Sequence, residues 1–359
     1  MPEIVIDRDA VRAALDTFAD PETGRSIVQM EQLKDLVIAN GRIQVTLGLT
    51  SWTGPIAQQT RAAVVEILRT QFPHAAEVEV DIVDHLRPAE KIGEIGLAAK
   101  SVIAVGSGKG GVGKSTIAAS LAYSLAAGGA KVGLLDADVY GPSIPHLLGV
   151  NERPQAVNNR LQPIVKDDLR VMSMGFLVPA GEAVVWRGPM LHGAITQFLR
   201  DTDWGELDYL IIDMPPGTGD IALTLSQLLP LSGAVVVCTP QDVALLDAVK
   251  AIAMFGKVSI PILGVVENMS YFICPDTGKR YDIFGSGGAR RKAAELEVPF
   301  LGELPINIGI RQRGDAGETE GNLHDEEVAK YLELICQHLV QNLAAARKSQ
   351  SPLPGLSVL

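Results

Sequence analysis

One glycine-rich run holds the residues best suited to chemistry. It lies between an apolar stretch, 102–105, and a helix-like stretch, 117–122, and reads Gly108, Lys109, Gly110, Gly111, Val112, Gly113, Lys114, Ser115 and Thr116. The run matches G-x-x-x-x-G-K-[ST] in the strand–loop–helix setting that this motif requires. Its glycines let backbone N–H groups point at phosphates, and the following helix N-terminus adds positive potential. The run therefore predicts a nucleoside triphosphate site, with Lys114 on the β- and γ-phosphates and Ser115 on Mg²⁺.

Acidic residues end two further apolar runs. Asp136 and Asp138 follow the run at 132–135, and Asp213 follows the run at 209–212. Acids at strand ends are often only helix caps or turn formers, so the glycine-rich run gives these their significance. We expect Asp213 to hold Mg²⁺ in the Walker B position. Asp138 is expected to orient or deprotonate the attacking water, with Asp136 as the alternative.

The sequence also favours adenine as the base. GTP-binding proteins of this kind usually carry Asn-Lys-x-Asp after a late strand, where the aspartate accepts from guanine. The corresponding run here ends in Glu267, Asn268, Met269 and Ser270, without that lysine or aspartate. We therefore predict ATP as the nucleotide, with the Asn268 amide contacting the adenine ring.

A buried parallel sheet must position these residues. Five apolar runs, most followed by a helix-like stretch, are predicted as strands: 102–105, 132–135, 209–212, 234–237 and 262–266. Runs without polar alternation are typical of parallel strands that are covered on both faces. The pattern predicts an α/β fold, a doubly wound and mostly parallel sheet, with its ligand at the carboxyl ends of the strands.

A smaller α+β unit is predicted ahead of that sheet. Asn40-Gly41 separates two strand-like runs, which indicates a hairpin because both residues tolerate positive φ. Helices at 8–18 and 56–72 and a strand at 78–83 complete the unit. We predict a small domain at 1–87, a linker at 88–100, an ATPase domain at 101–346 with its last helix at 325–345, and a disordered tail at 347–359.

Composition excludes some classes of protein. The 359-residue chain has a formal net charge of -11, which disfavours general binding to nucleic acid or to an anionic membrane. Its first fifteen residues carry five charges and no apolar core of a signal peptide. Three cysteines in this length do not make a disulfide framework. We expect a cytoplasmic protein without a membrane span.

The second lysine of the glycine-rich run extends the interpretation. Lys109 directly after the first glycine resembles the deviant Walker A class, which includes MinD, ParA and the nitrogenase iron protein. In that class this lysine reaches across a nucleotide-sandwich dimer to the partner's phosphates. The resemblance implies a homodimer in which Lys109 acts in catalysis together with Lys114 and Asp138.

Nearly the whole chain resembles the Mrp/ApbC-type ATPases, which carry iron–sulfur clusters. The matching blocks are the glycine-rich run and residues 136–145, 186–190, 213–220, 267–272 and 281–285. The segment Asp20-Pro21-Glu22-Thr23-Gly24 is similar to the small iron–sulfur assembly domain that is often fused ahead of such ATPases. The resemblance implies ATP-dependent transfer of a cluster, expected to be [4Fe–4S], to apoprotein clients.

The cluster site of that family is a C-x-x-C pair in each subunit, and this chain departs from it. Cys274 keeps the first position, but Thr277 occupies the second, and a hydroxyl is a poor iron ligand. A dimer would offer two thiolates of this type rather than four. Cys238 and Cys336 lie in apolar runs and are expected to pack in the core. The segment 49–55 likewise lacks the cysteine that the family often carries there.

Two alternatives stay open at this stage. The chain could be a MinD/ParA-like switch whose ATP-dependent dimerisation serves positioning or regulation without a cluster. Against this, its tail has only the adjacent cations Arg347 and Lys348, followed by prolines. The small domain could dock clients or scaffold proteins, or it could simply stabilise the ATPase domain.

Overall fold

The computed structural model describes residues 6–139, 141–177, 188–217 and 219–349. A cluster of buried apolar side chains lies in each of two units. The first comprises Met1–Arg87 together with Val340–Leu359, and the second comprises Pro88–Leu339. None of the helices in the described ranges is long and apolar enough to span a bilayer.

The first unit packs two helices against a three-stranded sheet. Its elements are α1 (Arg8–Asp16), β1 (Leu33–Ala39), β2 (Arg42–Leu49), a 3-10 helix (Ser51–Ile56), α2 (Ala57–Gln71) and β3 (Glu77–Asp84). The hairpin prediction is confirmed, since β1 and β2 pair antiparallel around Asn40 and Gly41, whose φ values are 52° and 73°. Strand β3 then joins parallel to β2.

A large sheet organises the second unit. The strands of the second unit are β4 (Lys91–Ile92), β5 (Leu97–Gly106), β6 (Val132–Asp136), β7 (Ala156–Val157), β8 (Arg160–Leu161), β9 (Ile164–Lys166), β10 (Leu169–Ser173), β11 (Leu207–Asp213), β12 (Gly233–Cys238), β13 (Ile262–Ile273), β14 (Arg280–Tyr281) and β15 (Phe300–Ile306). Seven of them run parallel in the order β15-β13-β12-β5-β11-β6-β10, and β7 and β8 form a separate ribbon. The doubly wound, mostly parallel sheet that the sequence predicts is confirmed.

Helices connect these strands. They are α3 (Lys114–Ala127), α4 (Ile144–Leu147), α5 (Gly188–Asp201), α6 (Gly219–Leu228), α7 (Asp242–Lys257), α8 (Gly288–Glu295), α9 (Ile308–Ala316) and α10 (Glu326–Ser349), with 3-10 turns at Met174–Leu177 and Thr319–Leu323. From the central β5 the chain winds first towards β10 and then, through β11, towards β15. Because crossovers are right-handed, this reversal places helices on both faces. The carboxyl ends of β5, β6 and β11 therefore meet at the switch point.

Several boundaries differ from those that the sequence suggests. Part of the expected linker at 88–100 is strand, because β4 pairs with the start of β5. Strands β10 and β15 escaped prediction since their apolar runs are short and interrupted. Residues 347–349, expected in the tail, continue α10 as helix, and contacts group Val340 onward with the first unit. Tyr140, Trp186, Arg187, Thr218 and the tail from 350 to 359 lie outside the described residues.

Candidate functional site

The glycine-rich run forms a tight loop between β5 and α3. Strand β5 ends at Gly106, and α3 begins at Lys114 directly after Gly113, whose φ is 79°. A left-handed residue at this place favours glycine, since a Cβ would be strained there. Lys109 is half-buried on the loop, and its carbonyl accepts from the Ser107 hydroxyl at 2.9 Å. The unpaired N–H groups at the start of α3 make this loop a natural anion site.

Two glycines of the loop are required by close packing. A Cβ on Gly108 would lie 2.1 Å from the carbonyl oxygen of Asp247 on α7. A Cβ on Gly113 would lie 2.1 Å from Nδ2 of Asn268, a side-chain amide on β13. At Gly108 the neighbour is backbone, so a larger residue would push the loop away from α7, whereas at Gly113 the Asn268 amide would have to move instead. The loop is thus fixed to α7 on one side and to β13 on the other.

Lys114, Ser115 and Asp213 converge at the end of β11. The Lys114 ammonium lies 2.5 Å from Asp213 Oδ1, and the Ser115 hydroxyl donates to Asp213 Oδ2 at 2.6 Å. Asp213 is fully buried. A single carboxylate therefore holds both side chains for which the sequence predicts phosphate and Mg²⁺ contacts.

This donor set fits magnesium. The hydroxyl of Ser115 and the carboxylate of Asp213 are hard oxygen ligands side by side, and Mg²⁺ prefers such ligands together with phosphate and water. Burial raises the pKa of Asp213, while Lys114 and the two hydrogen bonds lower it, and the net direction is upward. A buried carboxylate of this kind is expected to gain from a cation beside it.

Asp136 and Asp138 have different surroundings. Asp138 Oδ2 lies 3.9 Å from the Lys114 ammonium, and its Oδ1 accepts from the Gly141 N–H. Asp136 is fully buried and accepts from the N–H groups of Asp138 and Ile144 and from the Ser173 hydroxyl. Asp136 therefore fixes the backbone that carries Asp138, which leaves Asp138 as the carboxylate nearer the phosphate loop.

Asn268, which the sequence assigns to the adenine ring, lies against the loop, and its amide nitrogen has a partner there. Nδ2 donates to the Val112 carbonyl at 2.9 Å. The Asn268 side chain also lines a cavity of about 460 Å³ next to the loop. The other lining residues include Thr116, His146, Met269, Ile283, Phe284, Pro305, Ile306, Asn307, Ile310 and Asp315. A mostly apolar recess with a few polar groups suits a planar base.

Cys274 stands at the turn between β13 and β14. Its N–H donates to the Lys279 carbonyl at 2.9 Å, and the pairs Phe272–Tyr281 and Ile273–Arg280 close the hairpin. The thiol is partly exposed, and a hydrogen bond from the Thr277 side chain, with backbone N–H groups in support, lowers its pKa. Thr277, which replaces the expected second cysteine, thus favours the thiolate of Cys274. A thiolate is the form that ligates iron.

The other two cysteines lie in cores. Cys238 and Cys336 are each 2% exposed. Burial, with Glu267 as the second cause for Cys238 and Glu333 for Cys336, raises both pKa values to about 12. They remain neutral thiols at physiological pH.

In the first unit, the segment 20–24 forms a buried charge cluster. Asp20 and Glu22 lie 2.9 and 3.3 Å from the Arg87 guanidinium. Asp20 also accepts from Thr23 and Gln32, and Glu22 accepts from the Thr50 hydroxyl. These contacts satisfy the carboxylates with donors from the same unit.

The C-terminal end of α10 packs on the same segment. The Arg347 guanidinium lies over the ring of the buried Trp52, with its carbon 4.6 Å from the ring centre, and it donates to the Glu22 carbonyl. Arg347, expected in a disordered tail, therefore belongs to the packing of the first unit.

Sequence reasoning missed two parts of the site. Part of the cavity lining comes from Pro305 and Ile306 at the end of strand β15 and from Asn307 directly after it, and that strand was not recognised. Sequence reasoning also assigned no role to Glu267. This residue is fully buried, and its carboxylate accepts from the Ser270 hydroxyl and from the N–H groups of Gly287 and Ala289. The signal that could have revealed it is an acidic residue inside an otherwise apolar strand.

Two family models match the chain. The model described as NUBPL iron-transfer P-loop NTPase matches residues 98–340. The model described as iron–sulfur cluster assembly protein matches residues 8–82. The first match covers more than half of the chain, and the second covers most of the first unit.

The curated relatives match between 61% and 96% of the chain. A protein of Deinococcus radiodurans named iron–sulfur cluster carrier protein is 47% identical over 96% of this chain and 98% of its own. The Escherichia coli protein of the same name is 44% identical over 86% of this chain and 85% of its own. The mouse iron–sulfur cluster transfer protein NUBPL is 51% identical over 61% of this chain and 70% of its own. These names favour the carrier interpretation over the MinD/ParA-like switch.

Solved structures support the fold. A nucleotide-binding protein from Archaeoglobus fulgidus in complex with ADP is 43% identical, with a TM-score of 0.55 over 62% of this chain and 88% of its own. The septum site-determining protein MinD from Pyrococcus horikoshii is 21% identical, with a TM-score of 0.50 over 66% of this chain and 94% of its own, and shows likeness of fold alone. With its P-loop at the switch point and an assembly-type unit ahead of it, this chain belongs to the NUBPL-type iron-transfer P-loop NTPase family, among the iron–sulfur cluster carrier proteins.

Proposed function

We propose that this chain binds and hydrolyses Mg-ATP and, as a homodimer, carries an iron–sulfur cluster to apoprotein clients. One observation carries the proposal. Strand β13 holds Asn268 against the phosphate loop and leads, six residues later, to the partly exposed low-pKa thiol of Cys274. The relatives of matching length are named for the same cargo.

The phosphate loop and the residues beside it each contribute to nucleotide binding. Backbone N–H groups of residues 108–116 and the Lys114 ammonium bind the phosphates, and the base enters the 460 Å³ cavity beside Asn268. Ser115 and Asp213 hold Mg²⁺, which neutralises charge on the β- and γ-phosphates when bound. The amide of Asn268 reads adenine once the base reaches it.

Hydrolysis requires two further groups. Asp138, close to Lys114, orients or deprotonates the attacking water. In a nucleotide-sandwich dimer, Lys109 places its positively charged ammonium beside the phosphoryl group that is transferred in the partner subunit. Extra positive charge at that position stabilises a transition state whose charge lies on the equatorial oxygens.

The cluster half of the proposal rests on Cys274. Two subunits supply two Cys274 thiolates, and each thiolate is favoured by its own Thr277. Two thiolates hold a [4Fe–4S] cluster less tightly than four, which suits transfer better than storage. A reducing compartment such as the cytoplasm is part of the proposal, because transfer needs free thiolates. The domain at 1–87 would dock clients or scaffold proteins.

Anaerobic reconstitution tests the cluster half. We expect iron and labile sulfide to bind with visible absorbance in the unchanged chain, and this absorbance to disappear in Cys274→Ala. Cys238→Ala is the matched control, since it removes a buried thiol that cannot ligate. Thr277→Cys restores the family pair and is expected to retain more iron. Unchanged absorbance in Cys274→Ala would remove this mechanism.

Substitution of Lys109 and Asp138 tests the hydrolytic roles. Lys109→Ala and Asp138→Asn should keep nucleotide affinity and reduce kcat by about 10²-fold, the usual cost of losing one transition-state group. Lys250→Ala, on an exposed face of α7, is the control and should change neither quantity. Equal loss of affinity and turnover in either variant would show that its role is wrongly assigned.

A further inference from the structure

Strand β13 is irregular between the nucleotide site and Cys274. Met269 has a φ of 54°, a left-handed conformation that is uncommon for a residue with a side chain. The pairing of β13 with β15 shifts at the same point, because four steps on β13, from Asn268 to Phe272, match two steps on β15. The bulge therefore begins one residue after the amide that contacts the phosphate loop.

Glu267 holds together the two ends of the segment that follows it in the chain, residues 270–287. This fully buried carboxylate accepts from the Ser270 hydroxyl, from the Gly287 N–H at 3.1 Å and from the Ala289 N–H at 2.7 Å. Ser270 lies within the bulge, whereas Gly287 and Ala289 lie at the start of α8. One side chain thus joins the outgoing and returning limbs of residues 270–287, and Cys274 lies within this closed segment.

The hairpin inside the closed segment is well anchored to β13. The Arg280 guanidinium stacks over the Tyr271 ring, with its carbon 3.8 Å from the ring centre, and pairs with Asp282 at 2.8 Å. The Tyr271 hydroxyl meets that of Tyr331 on α10 at 3.1 Å. These contacts hold the two strands of the hairpin together beside Cys274 and tie its base to α10.

The nucleotide cavity contacts the entry to this segment and its returning limb. Asn268 and Met269, which lead into the outgoing limb, and Ile283 and Phe284, on the returning limb, all line it. A base that enters the cavity meets side chains on either side of the Glu267 hydrogen bonds. Because Met269 holds a strained conformation, this is a place where two backbone arrangements can be close in free energy.

We propose that Glu267 is a positioning residue that couples nucleotide occupancy of the cavity to the exposure and reactivity of Cys274. Its carboxylate holds the two limbs together, so that contact of the base with Met269 and Phe284 moves the Cys274 hairpin as one body. The inference rests on the proposed nucleotide site and adds to it a route to the cysteine. It assigns no cluster-ligand role to Glu267.

The test measures the alkylation rate of Cys274 in the full-length chain, with and without a non-hydrolysable ATP analogue and Mg²⁺. Peptide mass spectrometry separates Cys274 from the buried cysteines. We expect nucleotide to change the rate roughly fivefold, at the lower end of measured couplings between sites. In Glu267→Gln, analogue affinity should stay within about twofold while the change in rate disappears. Glu267→Asp, which keeps the charge, should recover part of the change.

Two further variants separate coupling from folding. Ser270→Ala keeps the carboxylate but removes its link to the outgoing limb, and it should weaken the nucleotide effect. Asp208→Asn is the matched control, because Asp208 is also a buried carboxylate that accepts a backbone N–H, from Lys131, but lies at the amino end of β11. It should keep the full effect.

Three outcomes would overturn the inference. A fivefold response that persists in Glu267→Gln and Ser270→Ala would remove Glu267 from the route. A wild-type chain that binds the analogue with no change at Cys274 would refute the coupling and leave the proposed function standing. Failure of the wild-type chain to bind the analogue would refute the nucleotide site and the coupling together.

Discussion

Two buried charge clusters, one in each unit, are built from similar residues and behave differently. In the second unit, Lys114 faces Asp213 and Asp138, and Asp136 lies at the end of the neighbouring strand. In the first unit, Arg87 faces Asp20 and Glu22, whose remaining oxygens accept from Thr23, Gln32 and Thr50. The cluster of the second unit thus has three carboxylates for one lysine, and the cluster of the first unit has two carboxylates for one arginine.

In the second unit, burial and crowding of the carboxylates raise pKa values. Burial and the Asp213 charge raise the pKa of Asp136 to about 7, and burial raises that of Asp213. Buried carboxylates that repel one another are stabilised most in their ionised form by an added cation, and Mg-ATP would supply that cation. The cluster of the first unit has the smaller excess of carboxylates and serves to hold its unit together. The larger excess of buried carboxylates distinguishes the proposed binding site from the structural cluster.

Removing Lys114 should have the largest effect. Lys114→Met deletes charged hydrogen bonds to phosphate worth about 1.5–3 kcal/mol each, so nucleotide affinity should fall by about 10²–10³-fold. Titration with a fluorescent ATP analogue measures this, and Lys250→Met, at an exposed lysine, is the control. Near-normal affinity in Lys114→Met would contradict the view that this cluster is the phosphate site.

Removing Arg87 should act on stability alone. Arg87→Met strands two buried carboxylates, which typically costs about 3–5 kcal/mol, and the first unit should unfold first. Hydrogen exchange over β1 to β3, with denaturant titration, measures the loss. Arg42→Met, which breaks a pair exposed at 69% and 55%, should cost under about 1 kcal/mol. A fall in nucleotide affinity in Arg87→Met would show that the two clusters are not independent.

The smallest expected effect concerns pH. A folded-state pKa near 7 for Asp136 means that the nucleotide-free fold binds more protons than the unfolded chain, so its stability falls as pH rises from about 4 to 7. Between pH 5 and 7 this amounts to about 2 kcal/mol at about 1.4 kcal/mol per unit. Asp136→Asn should flatten that part of the Tm profile, whereas Asp315→Asn, at an exposed carboxylate, should not. An equally steep profile in Asp136→Asn would refute the raised pKa.

The sequence by itself determined the parts of this protein that depend on neighbours in the chain. Residues 108–116 predict the phosphate loop because its glycines, its lysine and the following helix are contiguous. The Asn40-Gly41 hairpin follows from the φ values that two adjacent residues tolerate. Buried parallel strands are recognised because covering both faces requires unbroken apolar runs.

Only the tertiary structure decided which distant residues meet. Strand order and register bring Asn268 to Gly113 and Pro305 to the cavity beside the phosphate loop, and helix packing within the first unit brings Arg347 to Trp52. The role of Glu267 depends on a bulge in β13 and on the start of α8, and the effect of Thr277 depends on a turn that aims its hydroxyl at Cys274. Such contacts join residues far apart in sequence or fix a local angle, and neither is encoded in residue type and spacing alone.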